Sequence, residues 1–149
     1  MEGLAEYFTR HLRELWREWV RANALSFPEQ VVALFSRFQD DTVSLDSKTG
    51  RLPRFDAIRT HQSTGSGIYL IAEGQGKRWC ASVQEQSVDE GTIATFEAFC
   101  KTQAPRPARK VVVAKSGIDD TARLVAKAVN MWVWEPEDLQ LLMALYGHF

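Results

Sequence analysis

Apolar residues recur along this chain with two periods, and their alternation lays out most of the elements. In "GLAEYFTRHLRELWREWVRANAL", Leu4, Phe8, Leu12, Leu15 and Trp19 fall at helical spacing, with Tyr7 and Trp16 beside them. Arginines and glutamates fill the opposite face, with Glu14 and Arg17 three apart. A second helix is predicted over "SFPEQVVALFSRF". Ser26 is its cap, Pro28 and Glu29 lie in its first turn, and Val31, Leu34, Phe35 and Phe38 form its apolar face. "QDDTVSLDSKTGRLP" reads as a polar turn region with a short strand at Thr42 to Leu45.

Three strand patterns follow. "RFDAIRTHQ" sets Phe55 and Ala57 against Asp56 and Ile58; "GIYLIAEG" is a near-continuous apolar run suited to a central strand; "KRWCASVQEQ" alternates again. "STGSG" and "EGQGK" are hairpin connections, so the three form a meander. "SVDEGTIATFEAFCKTQ" starts a helix with Ser87 as cap and with Ile93, Phe96, Phe99 and Cys100 on its buried face. "KVVVAKS" has the β-branched run of a strand buried on both faces. "GIDDTARLVAKAVN" is a helix with Ile118, Ala122, Val125 and Val129 inward, "MWVWEPEDL" supplies a short strand, and "PEDLQLLMALYG" supplies a last helix. The order α-α-β-β-β-α-β-α-β-α predicts an α/β (α+β) fold with a mixed central sheet and helices on both faces.

The chain has 149 residues, enough for one core, and an apolar content of 45% fits a globular protein. Residues 1–25 read as an amphipathic interaction or oligomerisation element and residues 26–149 as the domain proper. A net charge of −1 gives no whole-chain signal for nucleic acid. Charge is uneven, however. Lys101, Arg106, Arg109, Lys110 and Lys115 fall in a stretch with no acid, which is either a solvated loop or a face for phosphate. Cys80 and Cys100 lie in no metal-binding spacing and are expected to pack as small apolar residues; with no signal peptide they suggest a reducing cytoplasm. No run is long enough to span a bilayer, so no membrane partner is expected. His11, His61 and His148 are scattered, and there is no P-loop. Trp132 and Trp134 share a strand face, where core packing is favoured over base stacking.

The stretches "KVVVAKSGIDDTARLVAKAVNMWVWEPEDLQLLM" and "SVQEQSVDEGTIATFEAFC" resemble the restriction-endonuclease-like superfamily, the PD-(D/E)XK nucleases, over roughly Pro28 to the C-terminus. The resemblance implies a metal site built from an Asp on one strand and a Glu-x-Lys at the end of another. The metal there polarises the scissile phosphate and activates water, and the Lys supports the transition state. Carried over by position, Asp56 stands for the first acid and Glu29 for an accessory one, while Ser82 and Gln84 replace the second acid and the lysine. The motif is therefore degenerate. Glu85 is a candidate for a migrated acid, although a regular strand turns it to the opposite face. Asp56 with Glu73 and Lys77 is an alternative, displaced site.

The resulting expectation is a non-catalytic nuclease-like domain in a nucleic-acid-processing or defence assembly. It would bind DNA through Arg51, Arg54, Arg59 and the basic stretch, or a protein partner through Leu12, Trp16 and Trp19. It needs no cofactor, and if a metal is held Asp56 is its ligand. Two alternatives remain: an active Mg²⁺-dependent endonuclease with the displaced site, and a structural subunit that dimerises through the N-terminal helix.

Overall fold

A five-stranded sheet with one cluster of apolar side chains on each face organises the computed structural model, which describes residues 26–45, 48–63 and 67–146. The elements in chain order are α1 (Phe27–Phe35), β1 (Asp41–Leu45), β2 (Lys48–Leu52), β3 (Ala57–Gln62), β4 (Ile68–Gly74), β5 (Lys77–Gln84), α2 (Glu90–Lys101), β6 (Arg109–Ala114), α3 (Asp120–Ala128), β7 (Met131–Trp134) and α4 (Pro136–Tyr146). The sheet order is β3-β4-β5-β6-β7. The first three strands are antiparallel, and β5, β6 and β7 run parallel. This is the mixed sheet expected from a meander followed by strand-helix-strand units. The helix expected over residues 3–25, with Leu12, Trp16 and Trp19, lies outside the described residues.

Strand alternation divides the core. Leu70 and Ala72, Trp79, Ala81 and Val83, Val111 and Val113, and Trp132 and Trp134 point to one face, where α1, α4 and the β1–β2 hairpin cover them. Tyr69, Ile71, Cys80, Val112, Met131 and Val133 point to the other, under α2 and α3. The predicted face of α1 (Val31, Leu34, Phe35) is buried with Phe38 just beyond it, and the Ser26 hydroxyl accepts from the Glu29 amide as a helix cap. Phe35 stands at the centre of an aromatic group, 5.1 Å from Phe38, 5.9 Å from Phe55 and 5.5 Å from Trp134 between ring centroids. Trp132 and Trp134 are wholly buried, so core packing is their role. Cys80 and Cys100 are buried free thiols, as their apolar reading required.

Three local expectations need correction. The short strand expected at Thr42 to Leu45 is β1, and the polar stretch after it holds a second strand, β2, paired antiparallel with it: Val43, Leu45, Gly50 and Leu52 face inward in strict alternation, and the Trp132 indole donates to the Leu45 carbonyl at 3.0 Å. A Cβ on Gly50 would fall 2.5 Å from the Trp132 ring, so glycine is what lets the hairpin lie flat there. The cap of α2 is Asp89 and not Ser87; its carboxylate accepts from the Thr92 amide at 2.9 Å, while Val88 bridges to Ile118. Finally, β3 begins at Ala57. Phe55 enters the core ahead of the strand and Ile58 packs against it from within, so the expected pairing of Phe55 with Ala57 breaks at the strand entry.

Phe35→Ala removes the ring that joins Phe38, Phe55 and Trp134. It is expected to destabilise the fold by about 3–5 kcal/mol, read as a lower midpoint in urea unfolding at an unchanged slope.

Candidate functional site

The two ends of β5 carry different chemistry. At its carboxyl end, Ser82 is fully buried and stands in register between Tyr69 of β4 and Val112 of β6. The Gln84 side-chain amide donates to the Ser82 hydroxyl at 2.8 Å. The two residues at the acid and lysine positions of the nuclease pattern therefore satisfy each other. Across the strand pair, a Cβ at Gly67 would fall 2.3 Å from the Val83 carbonyl and 2.6 Å from the Gln84 amide oxygen. A carboxylate at residue 67 has no room. Residues 63–68, "STGSGI", contain no acid at all. Antiparallel pairing makes the start of β4 the segment that faces Ser82 and Gln84, so the partner strand offers no carboxylate. A buried hydroxyl and a neutral amide do not fit Mg²⁺, which takes anionic oxygens to offset its dehydration.

The neighbouring groups do not repair this. Glu85 follows the last residue of β5, and its main-chain carbonyl accepts from the Ser116 hydroxyl at 2.6 Å. Glu29 is exposed on α1, which covers the opposite face of the sheet from Ser82. The Lys115 ammonium sits 5.3 Å from the centre of the Phe27 ring.

Asp56 belongs to the other end. Its amide donates to the Glu73 carbonyl at 2.8 Å, Ala57 pairs with Glu73, and Glu73 pairs with Arg78 near the start of β5. The six steps from Arg78 to Gln84 span roughly 20 Å at about 3.3 Å each. The structure thus separates Asp56 from Ser82 and Gln84, correcting the single site that the family pattern implied. The reason is strand direction: in an antiparallel meander, the start of the first strand meets the end of the second and the start of the third. What the structure does bring together is Asp56, Glu73 and Lys77, around a recess of about 290 Å³ completed by Gly74, Gln75, Gly76, Arg78 and Pro105. One Glu73 carboxylate oxygen accepts from Arg59 at 3.0 Å and from Arg78 at 3.2 Å. Among the described residues, no three His, Cys, Asp or Glu side chains are grouped to share a metal ion.

The expected basic face also divides. Arg51 pairs with Asp40, and Lys110 pairs with Glu97 at 2.7 Å. The Arg109 guanidinium lies over two indoles, 5.5 Å from Trp79 and 4.8 Å from Trp132, and burial lowers its pKa. Lys115 lies at the carboxyl end. Around the Gly74–Gly76 turn remain Arg59, Lys77 and Arg54, whose carbonyl lies against Gly74, together with Arg106, which follows Pro105. Lys101 ends α2. Arg78 was not among the candidate cations, although it follows Lys77 directly. It donates to the Gln103 side chain at 3.3 Å and to the Ala104 carbonyl at 3.4 Å, which fastens the loop carrying Pro105 and Arg106.

No family model matches the chain, and no curated protein is similar to it. Among solved structures, EndoMS in its apo form matches with a TM-score of 0.50 and 9% identity, over 74% of this chain and 46% of that one. The chain thus spans less than half the length of the structure it resembles. At this identity the likeness is one of fold alone.

Two substitutions probe the carboxyl end of β5. Ser82→Ala leaves the Gln84 amide without its acceptor and is expected to cost about 1 kcal/mol. Ser82→Glu places a carboxylate where no cation answers it and is expected to cost about 3–5 kcal/mol. Thermal unfolding of the two variants side by side checks the ordering.

Proposed function

We propose that this chain is a non-catalytic nuclease-like domain that acts by binding DNA, as one subunit of a larger nucleic-acid-processing or defence assembly whose catalysis lies elsewhere. The observation that carries this reading is the 2.8 Å hydrogen bond between Gln84 and buried Ser82. At the positions where the nuclease pattern needs an acid and a lysine, the polar groups are neutral and occupied with one another. Nothing there activates water, orients it or takes up charge from a phosphate. The cations at the opposite end of β5 favour a phosphate-bearing partner over an apolar one.

A second reading has one observation in its favour: the structure does gather Asp56, Glu73 and Lys77 around a single recess. In that reading the chemistry has moved along the sheet, and the domain is an active Mg²⁺-dependent endonuclease. Against it, the Glu73 carboxylate is already held by two guanidinium groups, which compete with any metal for the same oxygen. A partner surface at Leu12, Trp16 and Trp19, for a protein partner or for self-association, lies outside the described residues and gains nothing from the structure.

Calorimetric titration of Mn²⁺ into the protein, with and without a short DNA duplex, followed by a cleavage gel, separates the two readings. The expected outcome is no saturable metal binding and no cleavage. Metal-dependent cleavage that disappears in Asp56→Ala would overturn the proposal in favour of the displaced site.

A further inference from the structure

The recess under the β4–β5 turn has the residues of a displaced metal site but the charge of an anion site. Lys77 and Arg78 line it, and Arg59 reaches its rim through the Glu73 carboxylate; Arg54 and Arg106 flank it in sequence, two residues before Asp56 and one after Pro105. Two acids, Asp56 and Glu73, stand against these three placed cations, so the local charge is +1. With Glu73 already held by two guanidinium groups, the remaining balance of charge favours a phosphate over a divalent cation.

The hydrogen bonds point the same way. Glu73 takes Arg59 and Arg78 on one carboxylate oxygen, which holds both guanidinium groups in place and leaves that trio with an excess positive charge. The Arg78 side chain is 11% exposed, and its Nε–H is buried with no acceptor among the described residues. Lys77, Arg54 and Arg106 are exposed and make no ion pair among the described residues. The site therefore combines a fixed guanidinium pair with the uncommitted Lys77 on a concave surface, with Arg54 and Arg106 close by in sequence. Fixed donors matter because planar guanidinium groups recognise phosphate oxygens through paired N–H bonds.

We infer that the recess bounded by Asp56, Glu73, the Gly74–Gly76 turn, Lys77, Arg78 and Pro105 binds a phosphate group, at the end of the sheet opposite Ser82 and Gln84. This rests on the reading that the domain binds DNA and does not cut it, and it names where that binding occurs. The shared chemistry is a tetrahedral phosphate oxyanion, carried either by the backbone of a DNA duplex or by a free phosphate. Among the described residues no cation holds Asp56, so it weakens binding, which is the reverse of its role in a metal site.

The test is fluorescence anisotropy of a labelled duplex at several salt concentrations, with the double variant Lys77→Ala/Arg106→Ala and with Asp56→Asn. Both altered cations are exposed, and a thermal melt confirms that the variants fold. The double variant is expected to bind about tenfold or more weakly, with the slope of log affinity against log salt reduced by about two. Asp56→Asn is expected to bind several-fold more tightly. Inorganic phosphate that displaces the duplex identifies phosphate itself as the ligand; variants that lose affinity without such displacement identify the duplex backbone. Unchanged affinity and slope in the double variant overturn the recess while leaving the DNA-binding reading intact; a wild-type chain that binds neither duplex nor phosphate overturns both. Metal-dependent cleavage abolished by Asp56→Asn overturns both.

Discussion

The central constraint on this molecule is the burial of β5 on both faces. Trp79, Ala81 and Val83 face the cluster under α1 and α4, while Cys80 and Ser82 face the cluster under α2 and α3. β5 is also the strand where the antiparallel meander meets the parallel half of the sheet. Every element on either face packs against a sheet whose middle strand is dry. A charged residue in that strand needs a partner at its own depth, because an isolated buried charge costs several kcal/mol. The nuclease pattern meets that need with a metal ion and a second acid. This chain has no acid at Ser82, keeps Asp56 at the other end of the strand, and fills the position with a hydroxyl and an amide that bond to each other.

That substitution is consistent along the whole neighbourhood. Gly67 gives the Gln84 side chain the space an acid would have taken, and the segment before β4 carries only small and neutral residues. The carboxyl end of β5 is thus a packed corner, closed further by the Ser116 hydroxyl on the Glu85 carbonyl. Charge instead collects at the amino end, where the strands emerge from the core and water screens and solvates it. Solvation explains why that end tolerates several cations close together without an acid for each.

Much of the fold was legible from periodicity alone. The face of α1, the buried run Val111 to Val113 and the inward tryptophans follow from spacing, because burial on one or both faces leaves a direct trace in residue type. The β1–β2 hairpin left a weaker trace. Its inward positions include Gly50, which signals a turn in sequence but in the structure makes room for an indole 82 positions further along the chain. Ser87 and Asp89 are both good caps, and only the bridge between Val88 and Ile118 decides between them.

The site was legible in its residue types and misleading in its grouping. Asp56, Ser82 and Gln84 lie at or beside strands, and motif spacing treats strands as interchangeable. Pairing register does not. Asp56 directly precedes the first strand of a meander and so meets Glu73 and the start of β5, never its end. The same register brings Arg59 and Arg78 to Glu73 from the strands on either side, contacts between residues 14 and 5 positions apart that no local pattern announces. A degenerate catalytic motif therefore marks only where the chemistry was expected. Where the remaining polar groups converge is set by strand direction, and here it sets them at the far end of the same strand.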